Sequence, residues 1–220
     1  MPPDASPAPS PRRVHIVGGP GSGKTTLARR IGDALGLPVH HLDDVYRVGG
    51  GTGPLRPETD RRADVKRILG EPGWVTEGIH LGWTDPFFEA ADLVVWLDTV
   101  GWARASGRLV RRFAAGATRR DEATTSVATA SVERVDTAAA TPSSRRSARR
   151  RVSDGVGHAR DLVHAIGETR HYHLYPRGTA NLPETRAATR DRLDGQRGQV
   201  VRCRREVDVS ELLRSLGMDA

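Results

Sequence analysis

The sequence predicts an α/β fold wound on a parallel sheet, and three observations carry that prediction. Five short apolar runs, Val14 to Val17, Val39 to Leu42, Trp74 to Thr76, Leu93 to Leu97 and Val200 to Cys203, alternate with stretches of helical periodicity. Four of the runs are bounded by Gly, Pro or Asp, as expected of strands covered on both faces. A glycine-rich loop joins the first run to the first helical stretch.

Each helix carries its own punctuation. In TTLARRIGDALG, Leu27, Ile31, Ala34 and Leu35 recur at helical spacing before Gly36 and Pro38 stop the helix. In PETDRRADVKRILG, Pro57 starts a helix, Val65, Ile68 and Leu69 form its apolar stripe, and Gly70 ends it. A further helix is predicted from Trp102 to Phe113, and VSELLRSLG forms the last one. Met1 to Arg13 is Pro-rich and aperiodic, which predicts a flexible tail ahead of one domain over 14–220. From Ala114 to Ser153 neither period persists, so this stretch reads as a lid or as a disordered insertion, and both readings stand.

Composition sets the outer limits. The chain has 220 residues, 37% of them hydrophobic, and its 24 glycines bring the apolar share to an ordinary globular value. It has no run of 18 apolar residues and no apolar segment near its start, which predicts a cytoplasmic protein without membrane span or signal peptide. The single cysteine, Cys203, lies in VVRC and reads as a buried strand position. A net charge of +7 suits an anionic ligand without naming it. Lys24 and Lys66 are the only lysines.

The loop is the most specific signal. VHIVGGPGSGKTTLARRIG contains G-x-x-x-x-G-K-[ST], with a strand before it and a helix after it, the context of a P-loop. Gly18, Gly19, Pro20, Gly21, Ser22, Gly23, Lys24, Thr25 and Thr26 are therefore the expected ATP contacts. Glycines let backbone N–H groups turn inward on phosphate oxygens, and the helix N-terminus adds positive charge. Lys24 is expected on the β- and γ-phosphates and the Thr25 hydroxyl on Mg²⁺.

Beyond the loop, HHLDDVYR, WVTEG and ADLVVWLD follow at spacings that resemble adenylate-kinase-related P-loop kinases, in particular the bacterial DNA topology modulation (FlaR-like) proteins. The resemblance covers roughly Val14 to Phe113, with weaker agreement from Val200 onward. It implies a P-loop NTPase three-layer sandwich like that of nucleoside monophosphate kinases, with sheet order 2-3-1-4-5. Glu77 stands where that family has Asp. The DGFPR and GAPGAGKGT signatures of true adenylate kinases are missing, so adenylate kinase activity is not expected.

Ligands of parallel α/β sheets gather at the carboxyl ends of strands. Asp43 and Asp44 end the second predicted strand, and LDDVYR resembles a uridine-kinase-type segment in which an aspartate accepts the proton of the attacking hydroxyl. Asp43 is the first choice for that base; the other reading makes both residues turn formers. Glu77, closing the third strand, is expected to hold Mg²⁺ through water or else to pair with an arginine. Asp98 is expected to cap the helix at Trp102. On that helix Arg108 and Arg112 share a face with Arg104, suited either to the moving phosphoryl group or to solvent. The expected ligands are ATP, Mg²⁺ and a small-molecule acceptor. The alternative is a nucleotide-dependent regulator that binds DNA or RNA through the basic run Arg145 to Arg151. His40, His41, His171 and His173 lack metal-ligand company and read as surface or core residues.

Overall fold

The computed structural model describes residues 10–49, 53–98, 101–111, 113, 160–178 and 184–218. Five strands, β1 (Arg13–Gly18), β2 (Val39–His41), β3 (Trp74–Glu77), β4 (Leu93–Leu97) and β5 (Gln199–Cys203), form one sheet in the order β2-β3-β1-β4-β5. All four pairings are parallel. The order is the one the resemblance implied, and it puts the strand before the P-loop at the centre.

The helices are α1 (Lys24–Leu35), α2 (Leu42–Tyr46), α3 (Glu58–Leu69), α4 (Asp85–Ala90), α5 (102–111), α6 (160–174), α7 (Arg186–Asp194) and α8 (Glu206–Ser215). They cover both faces of the sheet. On one face Leu27, Ala28 and Ile31 of α1 and Leu212 and Leu213 of α8 pack on Val14, Ile16, Val95 and Leu97. On the other, Val65 and Ile68 of α3, Phe87 and Phe88 of α4 and Leu193 of α7 pack on Val17, Trp74, Val94 and Trp96. Alternate residues of β1 thus serve opposite layers, and each buried apolar side chain contributes about 1.5–3 kcal/mol. Cys203 is a buried position on β5, as the apolar run indicated.

The structure departs from the sequence reading in several places. The second strand ends at His41, one residue early, because Leu42 turns into the core and opens α2, with Asp43 and Asp44 in its first turn where the helix dipole favours acids. The last helix starts three residues before Val209, where the Asp208 carboxylate accepts the N–H groups of Arg204 and Arg205. Helices α4, α6 and α7 were not expected. The first is too short for a period to register; the last starts at a Thr185 cap whose hydroxyl accepts the Ala188 N–H at 3.0 Å. Residues 1–9, Arg112 and all of 114–153, the run Arg145–Arg151 included, lie outside the described residues, with the lid and nucleic-acid expectations and most of the tail. The end of the expected tail is instead tied down, because Arg13 opens β1 and the N–H groups of Arg12 and Arg13 donate to Asp92.

Candidate active site

The P-loop is a close fit between three helices. Gly18 ends β1, and α1 begins at Lys24, whose first turn carries no acidic residue and no side-chain cap. Ser22 N–H donates to the Gly19 carbonyl at 3.2 Å, closing the loop on itself. Gly21 has φ +73°, and a Cβ there would lie 2.9 Å from the Ala105 carbonyl oxygen of α5. A Cβ on Gly19 would lie 2.4 Å from the Tyr172 ring of α6. Tyr172 is buried, and its hydroxyl accepts the Trp96 indole N–H at 3.3 Å. Neighbours as well as phosphate geometry therefore require glycine here. Among the described residues the buried Ser22 hydroxyl has no partner, and Lys24 Nζ reaches only the Gly19 carbonyl, at 3.2 Å. Both are donors in want of a stronger acceptor.

On the β2–β3 side, two strand-end groups converge with a hydroxyl from the first turn of α1. The Thr25 hydroxyl donates to Glu77 Oε1 at 2.9 Å, and His41 Nδ1 lies 2.9 Å from the same oxygen. Glu77 is buried, and its partners are a hydroxyl and an imidazole, not the arginine expected as the alternative. Among the described residues no group of three His, Cys, Asp or Glu side chains could hold a metal by itself.

Asp43 and Asp44 were expected to face the phosphates together. Consecutive helical residues point about 100° apart, and the pair separates. Asp43 Oδ1 lies 2.8 Å from His80 Nε2, and its acidity is raised: the His80 hydrogen bond outweighs burial, with help from the charges of His80, Lys24 and His41. Asp43 is thus a carboxylate within electrostatic reach of the P-loop lysine. Asp44 instead lines a separate cleft of about 240 Å³ with His40, Arg56, Asp64 and Arg67. His80 is a site residue that sequence reasoning missed. It stacks on Tyr46 at 4.8 Å and on Trp83 at 5.4 Å, and its Nδ1 lies 4.0 Å from Glu184. His41 was missed as well. Their signal was position alone, since both stand at or just beyond the carboxyl end of a strand.

The β4–β5 side is different. Asp98 does not act as the expected helix cap. Its carboxylate takes two bonds from Arg186 (2.6 and 2.8 Å) and two from Arg202 (3.1 and 2.6 Å). Burial pushes its pKa up, but these bonds and charges prevail and hold it below the usual range. Arg108 lines a cleft of about 180 Å³ with Ser22, Thr26, Arg30, Glu206 and Val209. It therefore borders the P-loop from the β5 side, across the loop from Asp43.

No protein-family model and no curated protein matches the chain. Among solved structures it is similar to a gluconokinase from Sinorhizobium meliloti 1021, at 17% identity over 94% of this chain and 89% of that one, with a TM-score of 0.41. It is also similar to a sugar kinase from Janibacter sp. HTCC2649, at 14% identity over 96% of each chain, with a TM-score of 0.39. The chain has the α/β fold of P-loop nucleotide-binding proteins. That follows from its own strand order and loop. No helix among the described residues is long and apolar enough to cross a membrane.

Proposed function

We propose that the chain is a cytoplasmic kinase that transfers the γ-phosphoryl group of ATP to a hydroxyl of a small molecule. The observation that carries this reading is the pairing of Thr25 with Glu77 beside the P-loop, with the Asp43 carboxylate on the same side and in range of Lys24. The resemblance to adenylate-kinase-related and FlaR-like proteins supports the same class.

The residues present suit a magnesium nucleotide. Gly18 to Thr26 would hold the phosphates, the partnerless Ser22 hydroxyl and Lys24 ammonium would exchange weak or missing partners for phosphate oxygens, and Thr25 with Glu77 would hold the metal and its water. Bound there, Mg²⁺ would neutralise charge on the β- and γ-phosphate oxygens. Asp43 accepts the proton of the acceptor hydroxyl. The new O–P bond forms as the bond from the γ-phosphorus to the oxygen bridging to ADP breaks. His80 holds Asp43 by one oxygen and leaves the other for the acceptor. Arg108, on the β5 side of the loop, is better placed to cover the nucleotide than to meet the acceptor.

The test is a phosphotransfer screen over nucleosides, nucleotides, sugars and sugar acids with labelled ATP. Transfer to one class is expected, and Lys24→Ala should lower it roughly 10²–10³-fold. ATP turnover that no acceptor accelerates would overturn the kinase reading.

A further inference from the structure

Next to Asp43 the chain gathers positive charge that it does not neutralise. The guanidiniums of Arg47 and Arg61 both lie over the Tyr46 ring, 5.4 and 5.1 Å from its centroid. Arg61 Nε is buried and has no hydrogen-bond partner among the described residues. Arg47 donates to the Gly53 carbonyl at 2.8 Å. Among the described residues, neither arginine has a carboxylate partner, and α3 shows why. The acids three residues to either side of Arg61 are taken, Glu58 by Arg62 and Asp64 by Arg56 and Arg67.

Two like charges over one ring repel each other, and a buried donor without an acceptor is costly. An anionic group from a bound molecule relieves both, and a guanidinium fork matches carboxylate or phosphate oxygens. The location connects this charge to the chemistry. Tyr46 stacks on His80, and His80 is bonded to Asp43. From Arg61 to the candidate base is a path of two ring contacts and one hydrogen bond.

We propose that Arg61, assisted by Arg47, forms an anion subsite on the acceptor side, so that the acceptor is a hydroxyl compound bearing a carboxylate or a phosphate. The word acceptor rests on the kinase reading; the anion subsite does not. Asp43 and Glu184, at the other end of the ring panel, repel the anionic end of such a molecule. Its hydroxyl end is thereby directed toward Asp43.

Calorimetric titration of the full chain, its P-loop filled with MgADP, tests this with two matched pairs: a nucleoside 5′-monophosphate against its nucleoside, and an aldonate against its aldose. The anionic member of at least one pair should bind roughly ten- to a hundred-fold tighter than the neutral one. The phosphate and carboxylate arms tell the two sources of charge apart. Arg61→Met should erase most of the preference and Arg61→Lys should retain part of it; where the first does not fold, Arg61→Gln takes its place. Equal affinities within both pairs, no binding by any member up to about 10 mM, or an undiminished preference in Arg61→Met overturns the subsite. Failure of the kinase reading registers separately, as an unchanged melting temperature with MgADP. The four titrations are then run on Lys24→Ala, whose loop no longer competes for anions.

Discussion

Two strand-end carboxylate sites flank the P-loop, and the fold treats them in opposite ways. On the β5 side the Asp98 side chain is 1% exposed and meets two fixed cations, Arg186 and Arg202, the second of which also lies 4.1 Å above the Trp96 ring. On the β2 side Glu77 is nearly as buried, at 7%, and meets a hydroxyl and an imidazole. Asp43 likewise has an imidazole. Burial alone does not separate the structural acid from the acids proposed for the chemistry. The partners do: Asp98 is more than neutralised and ties β4 to β5 and α7, whereas Glu77 and Asp43 pair with no arginine or lysine among the described residues, which suits the roles proposed for them.

The sharpest way to break this distinction is to remove one charge on each side. Asp43→Asn keeps the size of the side chain and removes the base, so phosphotransfer should fall roughly 10²–10⁴-fold. Its melting temperature should stay close to the parent's, because the residue is exposed. A variant that keeps the parent rate would remove Asp43 from the chemistry. Asp98→Ala should do the reverse. Losing one partner of a buried pair costs about 3–5 kcal/mol, and the partial exposure of Arg186 (42%) and Arg202 (25%) brings the expectation down to about 2–3 kcal/mol. It should appear as a lower urea midpoint at unchanged slope, with the catalytic rate preserved below the transition. If Asp98→Ala lost rate and kept its midpoint, the assignment of roles to the two sides would be inverted.

The sequence made the scaffold legible and the pairings only in part. Strands buried on both faces announce themselves as apolar runs, so β1, β3 and β4 stand within a residue of where periodicity put them. The P-loop is legible because its chemistry is local: glycines, lysine and threonine are contiguous. Contacts between distant residues leave no such trace. Nothing near Gly19 tells that Tyr172 fills the space of a missing Cβ, and nothing near Asp98 names Arg186 and Arg202 as its partners. As neighbours in sequence Asp43 and Asp44 showed no sign of the different partners they would meet. Their roles part only because Leu42 starts a helix, which swings one carboxylate toward His80 and the other toward Arg56 and Asp64. His80 was passed over because a lone histidine three residues past a strand carries no periodicity, although the end of a parallel strand is itself a positional clue.

A gentler probe acts on neither side but beneath both. His15, on the central strand, is fully buried; its Nδ1 lies 2.8 Å from the Thr76 hydroxyl, its Nε2 has no partner among the described residues, and Phe88 meets its ring edge-on at 4.5 Å. Burial drives its pKa from the ordinary 6.5 down to about 3, against a smaller opposing effect of the Thr76 bond and with a minor push from the Arg192 charge. The sign follows from proton counting. Above pH 6.5 the imidazole is neutral in both states and contributes no slope. Between 6.5 and about 3 the unfolded chain takes up a proton that the folded chain refuses, so stability falls with pH by about 1.4 kcal/mol per unit once the unfolded histidine is mostly charged. His173, lowered by burial and by Arg186, adds a slope of the same sign. Asp43 and Asp98 lose their contributions only further down, as pH falls below the ordinary carboxylate range toward their lowered pKa values. The window from pH 6 to 5 lies above the losses at Asp43 and Asp98, while Glu184, whose pKa burial raises, adds a slope of opposite sign. The difference between the parent and His15→Gln removes these shared contributions and isolates His15. Urea midpoints across that window should slope less in the variant. Parallel slopes would mean that His15 gains its proton inside the folded sheet, and the two layers it separates would have to be less tightly closed than their packing indicates.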